Sequence, residues 1–338
     1  MESQTEKHAN TSFIIFLRII AAVAVVMIHT KTLTNFETKG YYFLDSCILW
    51  CVPIFFMISG YIFLGLKTNI TYNHLKKYII RFIVTLFTIG WFYALIQRVF
   101  ENGISILAFG YSFLDVLKGN LWDHMWYVYS IIGIYLVFPV LSAFVGSNRK
   151  NLYILTLICG IFNIIFNDIS TIFNIGFSFP LSGYCFYVLM GAVLYRLEER
   201  LLKKAFVPSV LVLVSMIIGL AIGIFLFNIN IKQSYTAIYV AIMSIVIFIV
   251  CKNLFNNVKV SGIVDSISKC TWGIYLVHPF FIHLFNKAFS ISIEGYNQFI
   301  AFPISCVIVF FVSYLAVLIL KRIPLIFKNS FPIYPHPL

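Results

Sequence analysis

The chain has 338 residues, of which 61% are hydrophobic, 18% aromatic and 11% charged, with a mean hydropathy of +0.95. Soluble domains carry roughly 25% charged residues, so a soluble enzyme, a secreted disulfide scaffold and a disordered adaptor are excluded, and lipid is the solvent. The net charge of +12 suits either nucleic acid or the cytoplasmic loops of a bilayer protein; the composition selects the second, and no nucleic-acid partner is expected. Seven cysteines (Cys47, Cys51, Cys159, Cys185, Cys251, Cys270 and Cys306) show no CxxC spacing and sit mostly in apolar runs. They read as small buried residues, with neither a disulfide framework nor a metal site expected.

A spanning helix needs about 20 mostly apolar residues. Ten segments are predicted, at 12–33, 41–65, 79–99, 125–145, 151–168, 179–196, 206–228, 235–251, 267–287 and 298–320. They define an all-α polytopic membrane protein, with residues 1–338 as a single domain. The first segment contains Arg18 and lacks a small-residue cleavage site near its end, so it reads as a retained helix and not a signal peptide. Assigning the loops alternately to two sides places seventeen Lys and Arg on one side and six on the other. This bias predicts both termini in the cytoplasm, and it does not reverse along the chain as a missed or surplus helix would require. The longest loop, 100–124, mixes Asp115, Asn120, Trp122, Asp123 and His124 with Ile104, Leu107 and Phe113, which predicts an interfacial or re-entrant segment.

Ionisable groups inside spanning helices are the most informative, since an Arg near the bilayer centre costs roughly 2.5 to 3.5 kcal/mol on insertion scales. Arg18 and His29 both fall in the first helix. At about 100° per residue, eleven residues make close to three turns, so both project from one face roughly 16 Å apart. That face offers a cation in the cytoplasmic half and an imidazole toward the outer half. Alternatively, Arg18 snorkels to headgroups and His29 sits at the interface.

In the second helix, Pro53 withdraws a backbone donor, and Ser59-Gly60 permits close approach of either a neighbouring helix or a ligand. Lys77 and Arg81 share a face at the start of the third helix, where they satisfy the positive-inside rule or suit the phosphates of a nucleotide cofactor. Asp123, His124 and Trp126, with Tyr127 and Tyr129 following, open the fourth helix. Aromatics there form interfacial belts; beside an acid and an imidazole they also make a sugar-binding subsite. In the ninth helix His278 falls near mid-membrane, with Tyr275 on the same side and Pro279 loosening the helix after it. A backbone carbonyl could satisfy this His as a core residue.

Arg18-x10-His29, Phe55-Phe56-x-x-Ser59-Gly60-Tyr61, Lys77-x3-Arg81, Trp126-Tyr127 and Tyr275-Leu276-Val277-His278 together resemble the integral-membrane acyltransferase family 3, over the whole chain. Within it the chain looks like the stand-alone kind, surface-polysaccharide O-acetyltransferases of the bacterial plasma membrane. It departs from the fused kind at Val128, Tyr129 and Ser130, where those show a Glu pair. The resemblance implies transfer of an acyl group, usually acetyl, from cytoplasmic acetyl-CoA or another acyl-CoA to a hydroxyl of a cell-envelope glycan or lipid-linked sugar, with no metal. On this reading His29 is the general base or a transient acyl carrier, and Arg18 orients the acyl-CoA. Lys77 and Arg81 hold its phosphates, and Ser59 and Gly60 line the channel for its pantetheine arm. Asp123, His124, Trp126, Tyr275 and His278 position the acceptor. A transporter or flippase of such glycans also fits ten helices with Pro kinks and buried polar residues; no inverted repeat is visible. A sensory membrane domain finds no output domain in the chain.

Overall fold

A computed structural model describes residues 11–33, 38–66, 69–146, 148–173, 181, 183–288 and 297–322. No strand occurs among them. In chain order the helices are α1 (Ser12–Leu33), α2 (Lys39–Leu66), α3 (Tyr72–Asn102), α4 (Ile106–Lys118), α5 (Asp123–Val145), α6 (Arg149–Ser170), α7 (Cys185–Arg196), α8 (Glu199–Lys204), α9 (Phe206–Leu226), α10 (Ile238–Phe255), α11 (Gly262–His283) and α12 (Gln298–Leu320). Eight of them, α1, α2, α3, α5, α6, α9, α10 and α12, are long and apolar enough to cross a membrane. The protein is therefore a multi-pass, all-helical membrane protein. Of the other two predicted segments, 267–287 falls on α11, and 179–196 falls on α7 and on residues partly outside those described.

Burial sorts the helices. Most of α2 is enclosed by neighbours, whereas α9 and α12 bury only about a fifth of their apolar stretch, 22% each. Phe299, Val307, Phe311 and Ile319 of α12 and Leu211, Val214 and Ile218 of α9 point outward, as a hydrocarbon solvent allows. At the centre, α2 and α7 cross with their backbones in contact. A Cβ added to Gly60 would lie 1.7 Å from the Val188 carbonyl oxygen, and one added to Gly191 would lie 2.0 Å from that of Met57. Each helix thus notches a glycine into the other's backbone. Arg196, the last residue of α7, donates to the carbonyls of Val145 (3.0 Å), Gly146 (2.5 Å) and Leu64 (3.3 Å), satisfying carbonyls that the ends of α5 and α2 leave over.

The predicted interfacial segment is α4, a three-turn helix. Ser105 caps its start, accepting from the Ala108 amide at 3.0 Å, and Gly119 ends it at φ +76° in the left-handed region. Ile106, Leu107 and Leu117 remain exposed. Both Asp115 carboxylate oxygens receive the Arg98 guanidinium from α3, and Tyr129 of α5 donates to the Val116 carbonyl. These bonds clamp α4 across the ends of α3 and α5.

Candidate active site

Three histidines from three separate helices converge. His29 stands near the end of α1, His124 in the first turn of α5 and His278 beside Pro279 in α11. Their ring centroids are 5.1 Å (His29–His278), 5.9 Å (His124–His278) and 6.3 Å (His29–His124) apart. His29 is half-buried, while His124 and His278 are buried. His278 Nδ1 lies 3.0 Å from the Ile274 carbonyl, so a neutral ring donates there and leaves its Nε2 as an acceptor. The Nε2 atoms of His124 and His278 are buried without a hydrogen-bond partner among the described residues. An unsatisfied buried polar atom of this kind is unfavourable for the fold alone, and two of them beside a third imidazole mark a place for a polar ligand.

Beside the cluster lies a cavity of about 380 Å³, lined by His29, Asp123 and His124 together with Gln97, Trp122 and His283, while His278 is fully buried behind this lining. Aromatic side chains hold its walls. Tyr93 stacks on Trp122 (centroids 4.3 Å, planes at 24°), meets His124 edge-on at 5.3 Å, and donates its hydroxyl to the Leu276 carbonyl at 2.6 Å. The Tyr275 hydroxyl donates to the His124 carbonyl. Pro279 also lines the cavity.

Below the histidines two helix faces oppose each other. Arg18, Ala22, Val25 and His29 recur at i, i+4, i+7 and i+11 on α1, and Thr271, Tyr275 and His278 recur at i, i+4 and i+7 on α11. Between these faces lies a void of about 20 Å³ lined by Val25, Val52, Phe55, Tyr127, Thr271, Trp272 and Tyr275. It is large enough for about one water, and Tyr275, Trp272, Tyr127 and Phe55 form its aromatic walls. Arg18 is buried, with 5% of its surface exposed.

The remaining predicted residues divide. Asp123, His124, Tyr275 and His278 are gathered around His29. Trp126, two residues and about 200° beyond His124, faces away from the histidines. It stacks on Tyr184 at 5.3 Å, Tyr184 stacks on Phe56 at 4.8 Å, and the Trp126 ring lies 5.2 Å from that of Tyr235. It is not among the residues that line the histidine cavity. Ser59 and Gly60 are helix-packing residues: Ser59 Oγ donates to the Phe55 carbonyl at 3.1 Å and lies 3.4 Å from the Tyr135 hydroxyl, while Gly60 is filled by Val188 of α7. Their smallness serves the crossing. Lys77 is exposed, Arg81 half-buried, and Lys77 Nζ sits 5.0 Å from the Tyr78 ring. At 1.5 Å per residue, Arg81 stands roughly 24 Å along α3 from Gln97, toward the end of the bundle where Arg18 also lies.

Sequence reasoning did not single out Tyr93, Gln97 or His283. Gln97 was detectable as the amide that ends the long, mostly apolar run of the third helix, and Tyr93 shares its face one turn earlier. Among the described residues no group of three or more His, Cys, Asp or Glu side chains is disposed to hold a metal ion.

An all-helical membrane bundle with a histidine-lined polar cavity at one end and a buried arginine on the same helix face defines the class. Residues 11–318 match the family described as "Acyltransferase domain", and the chain belongs to acyltransferase family 3. A protein of Enterococcus faecalis described as an amino-acid racemase is 28% identical over 312 residues, covering 82% of this chain and 41% of that protein. The chain thus spans less than half the length of this relative. No solved structure matches it.

Proposed function

We propose that this membrane acyltransferase moves an acyl group, acetyl in the first instance, from cytoplasmic acyl-CoA to a hydroxyl of a cell-envelope glycan or a lipid-linked sugar. The observation that carries the reading is the half-buried His29 at the edge of a polar cavity, on one helix face with the buried Arg18. The excess of Lys and Arg in alternate loops supports a cytoplasmic side for the termini and the Arg18 end of the bundle, and the family resemblance is what points to a bacterial plasma membrane. The chain then acts as one domain of ten membrane segments.

In the reaction the acceptor hydroxyl enters the cavity and His29 takes its proton as the oxygen attacks the thioester carbonyl. The tetrahedral intermediate collapses, the carbon–sulfur bond breaks, and the thiolate leaves with the proton returned to it, giving an ester and free CoA. The unpartnered Nε2 of His124, which lines the cavity, accepts a hydrogen bond from a further acceptor hydroxyl, the buried Nε2 of His278 joins it once the ligand enters between the rings, and Asp123 adds a carboxylate at the rim. Arg18 draws the donor inward, while Lys77 and Arg81 hold its phosphates at the mouth.

The test is transfer of radiolabel from acetyl-CoA to endogenous glycan in membranes carrying the wild-type chain or His29→Ala at matched expression. Label with the wild type and a loss of about 10²- to 10⁴-fold in the variant is the expected result. Full activity in His29→Ala removes it as the base. No label in either, with acetyl-CoA or succinyl-CoA, overturns the donor assignment and favours a flippase.

A further inference from the structure

Beside the histidine cavity lies a second polar cavity of about 370 Å³, lined by Gln97, Arg98 and Glu101 of α3, Asp115 of α4, and Asn120 and Leu121 of the connection to α5. Gln97 and Leu121 line both cavities. The two are therefore neighbouring compartments of one groove, with a shared wall. The second compartment has a fixed floor: Arg98 is forked onto both oxygens of Asp115, and Gln97 Nε2 donates to Glu101 Oε1 at 3.1 Å. Above that floor the Glu101 carboxylate and the Asn120 amide are exposed. Donors and acceptors thus stand side by side, the pattern a hydroxyl-rich ring requires. One cation faces two carboxylates, so the local charge opposes a uronic acid or a phosphate and admits a neutral or amino sugar.

We propose that this compartment is a second acceptor subsite, which holds the sugar ring linked to the one whose hydroxyl reaches His29. The acceptor is then read over at least two rings, and a single sugar fills only half of the groove. This inference rests on the acyl-transfer reading and names the substrate class of the same site. It gives the clamp of α4 on α3 a purpose, because Asp115 fixes the Arg98 fork that floors the subsite. It also explains why the connection 119–122 is short, since Asn120 and Trp122 then address adjacent rings.

The experiment uses membranes containing the full chain, labelled acetyl-CoA, and envelope glycan released by mild acid and fractionated into single sugars and oligosaccharides. Glu101→Ala removes a polar partner and Asn120→Trp fills the compartment; both positions are exposed, so both variants are expected to fold. Each should raise the ratio of the oligosaccharide KM to the single-sugar KM about tenfold, with the KM for acetyl-CoA unmoved. An unchanged ratio in both variants overturns the subsite while leaving the acyl-transfer reading intact, and so does an equal rise in every KM. Failure of the wild type to label either fraction overturns the acyl-transfer reading and the subsite together.

Discussion

At the scale of single residues, His278 tests whether the histidine cluster exists for ligand or for fold. Its Nε2 is buried without a partner among the described residues, so replacing the ring with an apolar group of similar reach relieves an unfavourable burial. His278→Leu is expected to hold or raise the melting temperature of the detergent-solubilised protein while lowering transfer at least tenfold. Lower stability with unchanged transfer would assign His278 to packing. Lys77 and Arg81 make a separate prediction. A charge-assisted hydrogen bond is worth about 1.5 to 3 kcal/mol, so each Ala variant should raise the KM for acyl-CoA about tenfold or more and leave the acceptor KM alone, as two-substrate kinetics would show. The sequence placed Arg18 and His29 on one face because helical phase is arithmetic. It pointed to His124 and His278 one by one, but their meeting with His29 depends on how α1, α5 and α11 pack, which no local spacing encodes. Trp126 shows the converse, since a residue two positions from a cavity-lining histidine points the other way.

Individual helices were legible where long apolar runs end in polar turns. The predicted 12–33 and 298–320 agree closely with α1 and α12. The third segment, predicted from 79, begins at Tyr72, because Thr71 and His74 form a reciprocal cap, with the His74 ring nitrogen 3.1 Å from the Thr71 amide, and carry the helix beyond its apolar part. Ser59-Gly60 announced a close approach, yet the approaching group could only be read from the fold. That crossing yields a prediction. Gly60→Ala sets a methyl group 1.7 Å from a carbonyl oxygen, and overpacking of this kind costs about 1 to 3 kcal/mol or more, so the variant should show reduced membrane yield and a lowered melting temperature. Gly133→Ala is its control, because a Cβ there meets nothing within 4 Å. Equal stability of the two variants would refute the close crossing.

Across the whole molecule, the distribution of charge sets an orientation that chemistry can read. Single cysteines placed at Lys76 and Lys118 in a cysteine-free background should react with a membrane-impermeant maleimide from opposite sides, Lys76→Cys only after the membrane is opened and Lys118→Cys in intact cells. Labelling of both from one side would break the proposed topology and, with it, the separation of donor entry from acceptor entry. Backbone seated against backbone at two points leaves α2 and α7 no slack for sliding: a shift of one residue along either helix would set a side chain where the gap admits only hydrogen. The pair behaves as a rivet. In α11, by contrast, Pro279 follows His278 directly and lacks the amide hydrogen that would close its turn.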